Sequence, residues 1–199
     1  IIKNGIYALK CRKKTDVWLC SYPRSGNTWL RRILCDIFFR QGNPDATIWD
    51  HVPDIHMPLP VAAAKEANGI CFYKSHFYYS AFYPRIVYII RDPFEALYSY
   101  WIRSVKVEKS KKSLEEFVHS ELNGGRFGSW PNHVLSYIKN GISNKHMMVL
   151  RYEDMVRDPA SQIVKVINFA GAQSVEYSAI LYWCQKRMDS FLESRGIEF

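Results

Sequence analysis

The feature that most constrains this chain is the apolar run Val17–Ser21, which breaks directly into Tyr22-Pro-Arg-Ser-Gly-Asn-Thr-Trp29 and then into a helical stripe. A short apolar run without alternation reads as a strand buried on both faces, the kind found in parallel sheets. Over residues 28–40 the apolar positions are Trp29, Leu30, Ile33, Leu34, Ile37 and Phe38, with Arg31, Arg32, Asp36 and Arg40 opposite. That spacing has the period of a helix. A loop joining such a strand to such a helix aims backbone N–H groups and the positive helix end at one point, where phosphate or sulfate can bind. Gly26 permits close backbone approach, Ser25, Asn27 and Thr28 offer side-chain donors, and Arg24 adds a rigid fork. The plainer alternative is a strand–turn–helix junction in which Ser or Asn only caps the helix.

The same rhythm repeats downstream. Residues 69–75 and 85–91 read as strands, the second fully buried, and 146–151 as a further buried strand. After the second, Asp92-Pro93-x-Glu95 supplies an N-cap, a first-turn proline and a capping-box glutamate, so a helix is expected to about Arg103. Residues 159–170 and 175–188 also read as helices. Strands alternating with helices predict a three-layer α/β/α fold with a central parallel sheet, of the kind seen in P-loop NTPases. No linker divides the chain, so one domain over residues 1–199 is expected. Ligands in such sheets bind beyond the carboxyl ends of the strands, and Ser21–Gly26, Lys74–His76, Arg91 and Tyr152 all fall there.

The loop is not a Walker A motif, because Asn27 rather than lysine follows Gly26 and Ser occupies position 21. An ATPase or ordinary kinase loses most of its support. The formal charge of +8 suits an anionic partner. The basic runs at 10–14 and 106–112 read as solvated loops, and no groove-reading element argues for nucleic acid. Cys11, Cys20, Cys35, Cys71 and Cys184 are dispersed without zinc spacing, which fits a reducing, cytoplasmic setting; Cys20, Cys35 and Cys71 read as core residues. No apolar stretch is long enough to span a membrane, and no signal peptide is recognisable.

Several segments together carry a resemblance. Ser21-Tyr-Pro-Arg-Ser-Gly-Asn-Thr-Trp29 resembles the 5′-phosphosulfate loop of the cytosolic-type sulfotransferase family, usually Tyr-Pro-Lys-Ser-Gly-Thr-Thr-Trp. Tyr88-Ile-Ile-Arg91 continuing to Ser99 resembles that family's 3′-phosphate motif, with the same step from arginine to serine. Tyr73-Lys74-Ser75-His76 is similar to its Lys-Thr-His segment, Gly128-Ser129-Trp130 with His133-Val134 to its Gly-Ser-Trp…His-Val stretch, Arg151 to Met155 to its Tyr-Glu-Asp-Met, and Asp189-Ser190-Phe191 to its Thr-Ser-Phe. The matches run in order from about Val17 to Phe191.

The resemblance implies transfer of a sulfuryl group from 3′-phosphoadenosine-5′-phosphosulfate (PAPS) to an acceptor hydroxyl or amine, leaving adenosine-3′,5′-bisphosphate and needing no metal. It puts Arg24, where the family has lysine, at the leaving oxygen; a guanidinium stabilises charge there but cannot donate a proton. It makes His76 the general base and Lys74 a neutraliser of sulfuryl oxygens. Ser25, Gly26, Asn27 and Thr28 would hold the 5′ side, Arg91 and Ser99 the 3′-phosphate, and Trp29, Phe191 and Tyr152 the adenine. Arg91 also ends an apolar strand, where its charge calls for an anionic ligand or a carboxylate. Asp92 could hold magnesium in a phosphotransferase, but helix capping explains it better. The family's Arg-Lys-Gly segment is not among these residues: either it lies outside them or the nucleotide site does without it.

Residues 45–60 hold Trp49, Asp50, His51, Asp54 and His56 at a spacing that fits no metal-binding helix face. With 77–83 and 106–127 they are expected to frame a small-molecule, lipid or glycan acceptor. A non-catalytic nucleotide-binding protein of the same fold is the rival reading, and a homodimer is compatible with the sequence.

Overall fold

The computed structural model describes residues 13–40, 47–57, 66–67, 69–141, 143–172 and 175–193. Cys11, the basic residues before Lys13, Asp45 and Pro58 to Pro60 lie outside the described residues. Four strands form one parallel sheet: β1 (Val17–Ser21), β2 (Phe72–Ser75), β3 (Arg85–Ile90) and β4 (Met147–Arg151), in the spatial order β2-β1-β3-β4. β1 pairs with β2 through Cys20 opposite Ser75 and with β3 through Ser21 opposite Ile89.

Alternation along the strands sorts the core into two layers. Val17, Leu19, Phe72, Val87 and Ile89 share one apolar cluster with the helices α1 (Asn27–Cys35), α7 (Pro159–Ala170) and α8 (Tyr177–Glu193). Trp18, Cys20, Tyr73, Ile86 and Tyr88 share the other with Val134 and Tyr137 of α5 (Trp130–Gly141). Both faces are therefore covered, and the expected three-layer architecture stands. Trp18 is wholly buried and stacks on Tyr83 at 4.0 Å between ring centroids.

Between these strands also lie α2 (Ile48–His51), α3 (Pro93–Lys106) and α4 (Leu114–Leu122), and α6 (Tyr152–Arg157) follows β4. The helix expected over 28–40 is α1 followed by a π turn, Asp36–Arg40. Two of its assumed solvent-facing residues are buried. Arg31 is 1% exposed and donates from Nε to the Val52 carbonyl at 2.8 Å, and Asp36 accepts from Arg187 Nη2 at 2.8 Å. A charge on the far side of an isolated stripe is not exposed when a neighbouring segment packs there with partners to satisfy it, carbonyls for Arg31 and a guanidinium for Asp36.

Other boundaries shift. The strand expected from 69 starts at Phe72, because Gly69 has φ +78° and Ala67 and Ile70 bond to each other as a tight turn. β4 is an edge strand in which only Leu150 is buried, not the fully buried strand expected. The stretch 106–127 contains α4, whose Ser113–Glu116 capping box is complete: each side chain bonds the other's backbone N–H, at 3.2 and 2.8 Å. The box after β3 is only half formed. Asp92 accepts from the Glu95 N–H at 3.0 Å, but the Asp92 N–H donates to Glu153 Oε1, because Glu95 has turned back to Arg91. Cys20, Cys35, Cys71 and Cys184 are buried, and none of them forms a disulfide.

Candidate active site

All four strands end at one edge, and there Arg24, His76, Arg91 and Tyr152 line a single cavity of about 580 Å³. Gly26, Asn27, Thr28, Trp29, Ser99 and Phe191 line it too, as does Lys74. Of the expected site residues only Ser25 is not on its wall. The Ser25 hydroxyl is buried without a protein partner, as is Arg91 Nε. Two orphaned polar groups at one loop call for a polar ligand that the protein does not supply.

The loop is held by its flanks. Arg24 has φ +65°, a left-handed conformation costing about 1–2 kcal/mol in a non-glycine residue. Fully burying Leu30, Ile33 and Leu34 of α1 contributes about 1.5–3 kcal/mol each, so the anchors outweigh the strain. Gly26 has φ +96°, and a Cβ there would lie 2.6 Å from the Tyr152 ring. Asn27 departs from its expected role. Its side-chain nitrogen donates to the Leu19 carbonyl at 2.8 Å and reaches Ser21 Oγ at 3.3 Å, so that nitrogen braces the end of β1, while Oδ1 is buried without a partner.

Arg24 Nε donates to Ser99 Oγ at 3.1 Å, and Arg91 Nη1 donates to the Arg24 carbonyl at 2.9 Å. Burial, then the Arg103 and Arg91 cations, depress the Arg24 pKa, which marks a region of concentrated positive charge. Arg91 finds its carboxylate in Glu95 at 3.1 Å and stacks on Tyr152 at 4.2 Å. The Tyr152 ring thus backs both Gly26 and Arg91. Asp189, in place of the family's threonine, accepts from Gln185 at 2.8 Å.

His76 is fixed on every side but one. Its ring Nδ1 donates to the Ser21 carbonyl at 2.7 Å, its backbone N–H donates to His56 Nε2 at 2.7 Å, and its carbonyl accepts from His133 Nε2 at 3.2 Å. A proton on Nδ1 leaves the lone pair on Nε2. Burial and the nearby Lys74 cation hold its pKa well below the ordinary histidine value, so the ring is neutral.

Lys74 is not free to face the cavity alone. Its ammonium lies 2.5 Å from Asp54 Oδ2 in a buried pair, and burial depresses its pKa despite that carboxylate. Asp54 Oδ1 also accepts from the His56 N–H at 3.0 Å. The segment Pro53–Ile55 runs beside β2: the Lys74 N–H donates to the Pro53 carbonyl at 2.9 Å and the Ile55 N–H to the Lys74 carbonyl at 3.2 Å. Asp54 and His56 are therefore site residues that reading by motif left in a generic acceptor loop. The available signal was two buried-type polar residues flanking an isoleucine beside a proline. Among the described residues no group of three or more His, Cys, Asp or Glu could hold a metal, and no helix is long and apolar enough to cross a membrane.

This fold, with its cavity at the carboxyl edge of a parallel sheet beside a strand–loop–helix, is an α/β architecture, and the chain belongs to the sulfotransferase domain family, whose model matches residues 14–193. It is 25% identical to 3-alpha-hydroxysteroid sulfotransferase of Cavia porcellus over 201 residues, covering 90% of this chain and 69% of that protein. It is 31% identical to sulfotransferase 2A6 of Rattus norvegicus over 175 residues, covering 80% of this chain and 60% of that one. Among solved structures it resembles retinol dehydratase in complex with androsterone and the inactive cofactor PAP, with a TM-score of 0.71 at 18% identity over 94% of this chain and 68% of the other. A mouse sulfotransferase complexed with PAP gives a TM-score of 0.67 at 21% identity over 92% of this chain and 68% of the other.

Proposed function

We propose that the chain is a single catalytic domain that transfers a sulfuryl group from PAPS to a small-molecule, lipid or glycan acceptor, with His76 as general base. The observation that carries this is the isolation of His76 Nε2. Every other polar group of that residue is bonded, and the remaining lone pair belongs to a neutral ring on the cavity wall beside Lys74 and Arg24.

The residues present fit the donor. Backbone N–H groups at the start of α1 and Arg24 suit its 5′ side, and the unpartnered Ser25 hydroxyl lies in the same loop although not on the cavity wall. Arg91, with Nε unpartnered, and Ser99 suit the 3′-phosphate, while Trp29, Phe191 and Tyr152 offer aromatic surface to adenine. PAPS supplies the activated sulfuryl group; adenosine-3′,5′-bisphosphate leaves.

Each protein group then has a task. His76 takes the acceptor proton at Nε2, and such positioned proton removal is typically worth about 10²–10⁴-fold. Arg24 stabilises charge that grows on the leaving oxygen, an interaction stronger in the transition state than before it. Lys74 neutralises sulfuryl oxygens while Asp54 keeps it oriented. The retinol and steroids named for related proteins suit the apolar wall of Trp49, Phe127 and Met57. The buried, non-disulfide cysteines support a reducing, cytoplasmic setting.

Transfer of radiolabelled sulfate from PAPS to a panel of phenols, steroids, retinol and sugars tests the reading. Labelled product is expected. Tight binding of adenosine-3′,5′-bisphosphate without turnover of any acceptor would instead mean a nucleotide-binding protein.

A further inference from the structure

His56 lies beside His76 with the two imidazoles nearly parallel, 14° apart and 5.6 Å between centroids, and both line the cavity. Its Nε2 accepts the His76 N–H, so in the neutral ring the proton sits on Nδ1. Burial lowers the His56 pKa to about 4, which keeps that ring neutral at ordinary pH. Yet His56 is 8% exposed and its Nδ1–H has no partner in the protein. A buried donor without an acceptor costs about 1–3 kcal/mol, which a ligand atom can recover. The Phe127 ring lies edge-on to both imidazoles, at 4.9 and 5.3 Å, and is the side chain an entering acceptor would displace.

We infer that His56 and His76 together select a hydroxyl acceptor over an amine: the reacting atom gives its proton to His76 Nε2 and accepts a hydrogen bond from His56 Nδ1–H. The inference rests on the sulfuryl-transfer reading with His76 as base. The selection follows from counting lone pairs. A hydroxyl oxygen has one proton and two lone pairs, so it can donate to His76, accept from His56 and still attack sulfur. A neutral amine nitrogen has one lone pair, which the attack consumes, and an ammonium has none. In the step itself the acceptor oxygen forms a bond to sulfur, the bond from sulfur to the bridging oxygen of the phosphosulfate breaks, and that electron pair departs with the bisphosphate. The hydroxyl proton ends on His76 Nε2.

The test uses the full chain saturated with adenosine-3′,5′-bisphosphate and two matched pairs of probes, 2-naphthol against 2-naphthylamine and cyclohexanol against cyclohexylamine. Binding is read by the ring ¹⁵N resonances of labelled histidine, with His56→Gln assigning His56. At least one alcohol is expected to shift His56 Nδ1, and with PAPS in place of the bisphosphate that alcohol should be sulfated with a kcat/KM about tenfold or more above that of its amine, roughly the worth of one recovered hydrogen bond. His56→Gln keeps an acceptor for the His76 N–H but loses the Nδ1 donor, so it should erase the preference and leave bisphosphate affinity near that of the parent. His56→Asn, whose amide nitrogen falls near Nδ1, should retain the preference. Neither alcohol moving His56 Nδ1, or a His56→Gln protein that still prefers alcohols, overturns the inference. Failure of the parent chain to bind the bisphosphate in calorimetry would sink the sulfuryl-transfer reading instead.

Discussion

The His76 ring donates from Nδ1 to the backbone carbonyl of Ser21 at 2.7 Å, across the seam between β2 and β1. A carbonyl cannot donate, so it dictates the tautomer, and the base-competent nitrogen is left on the cavity side. Asn27 braces the same strand end through the Leu19 carbonyl. The phosphate loop and the base thus share one support.

His76→Ala should therefore remove proton transfer without disturbing the nucleotide. Turnover is expected to fall at least about a hundredfold while the dissociation constant for adenosine-3′,5′-bisphosphate stays near the parent value. Steady-state kinetics paired with calorimetry would check both halves. Retained turnover would take His76 out of the mechanism.

Arg91→Ala acts on the other end of the site. A charge-assisted hydrogen bond is worth about 1.5–3 kcal/mol, so bisphosphate affinity should drop roughly tenfold to a hundredfold. The loss should come without a large fall in melting temperature, because Glu95, the carboxylate left behind, is 67% exposed. Unchanged affinity would mean that the 3′-phosphate sits elsewhere.

Gly26→Ala combines a left-handed backbone with a 2.6 Å approach to the Tyr152 ring. The backbone alone costs about 1–3 kcal/mol, and the displaced ring also backs Arg91. Urea denaturation should show at least that loss, and bisphosphate binding should weaken. A variant as stable as the parent would show that the loop relaxes freely.

Asp54→Asn leaves Lys74 buried opposite an uncharged amide. Breaking one side of a buried pair typically costs about 3–5 kcal/mol, and the lysine should lose its proton more readily. The expected result is a lower melting temperature that recovers partly as pH rises through the depressed Lys74 pKa toward the ordinary lysine value. A melting temperature independent of pH would show that the ammonium finds another partner.

Acid should unfold the protein early. His56 and His133 both have pKa values lowered to about 4 by burial, and His76 shifts in the same direction. A lowered pKa means that the unfolded chain binds the extra protons first. The stability these rings contribute is full above about pH 6.5 and declines as pH falls toward about 4. Melting temperature should drop by at least about 5 °C between pH 7 and 4.5. For the same reason the acid limb of kcat/KM should lie below 6.5, the ordinary histidine value. A limb at or above that value would mean that the essential base is another group.

What the sequence by itself determined is local and ordered. Val17–Ser21 carries apolar side chains for both faces, so it had to lie inside a covered sheet; the glycine-bearing turn and apolar stripe after it then set a loop aimed from a helix start. Asp92 before a proline announces its helix because capping depends on neighbours a few residues away. Only the tertiary structure decided where polar side chains with distant partners point. Arg31 is inside because Ile48 and Val52 bring carbonyls to it, Glu95 serves Arg91 because Glu153 caps Asp92 in its place, and Lys74 is paired because Pro53–Ile55 runs beside β2. His56 reaches His76 by that same pairing. Such contacts join residues about 20 or 60 positions apart, and periodicity along the chain carries no record of them.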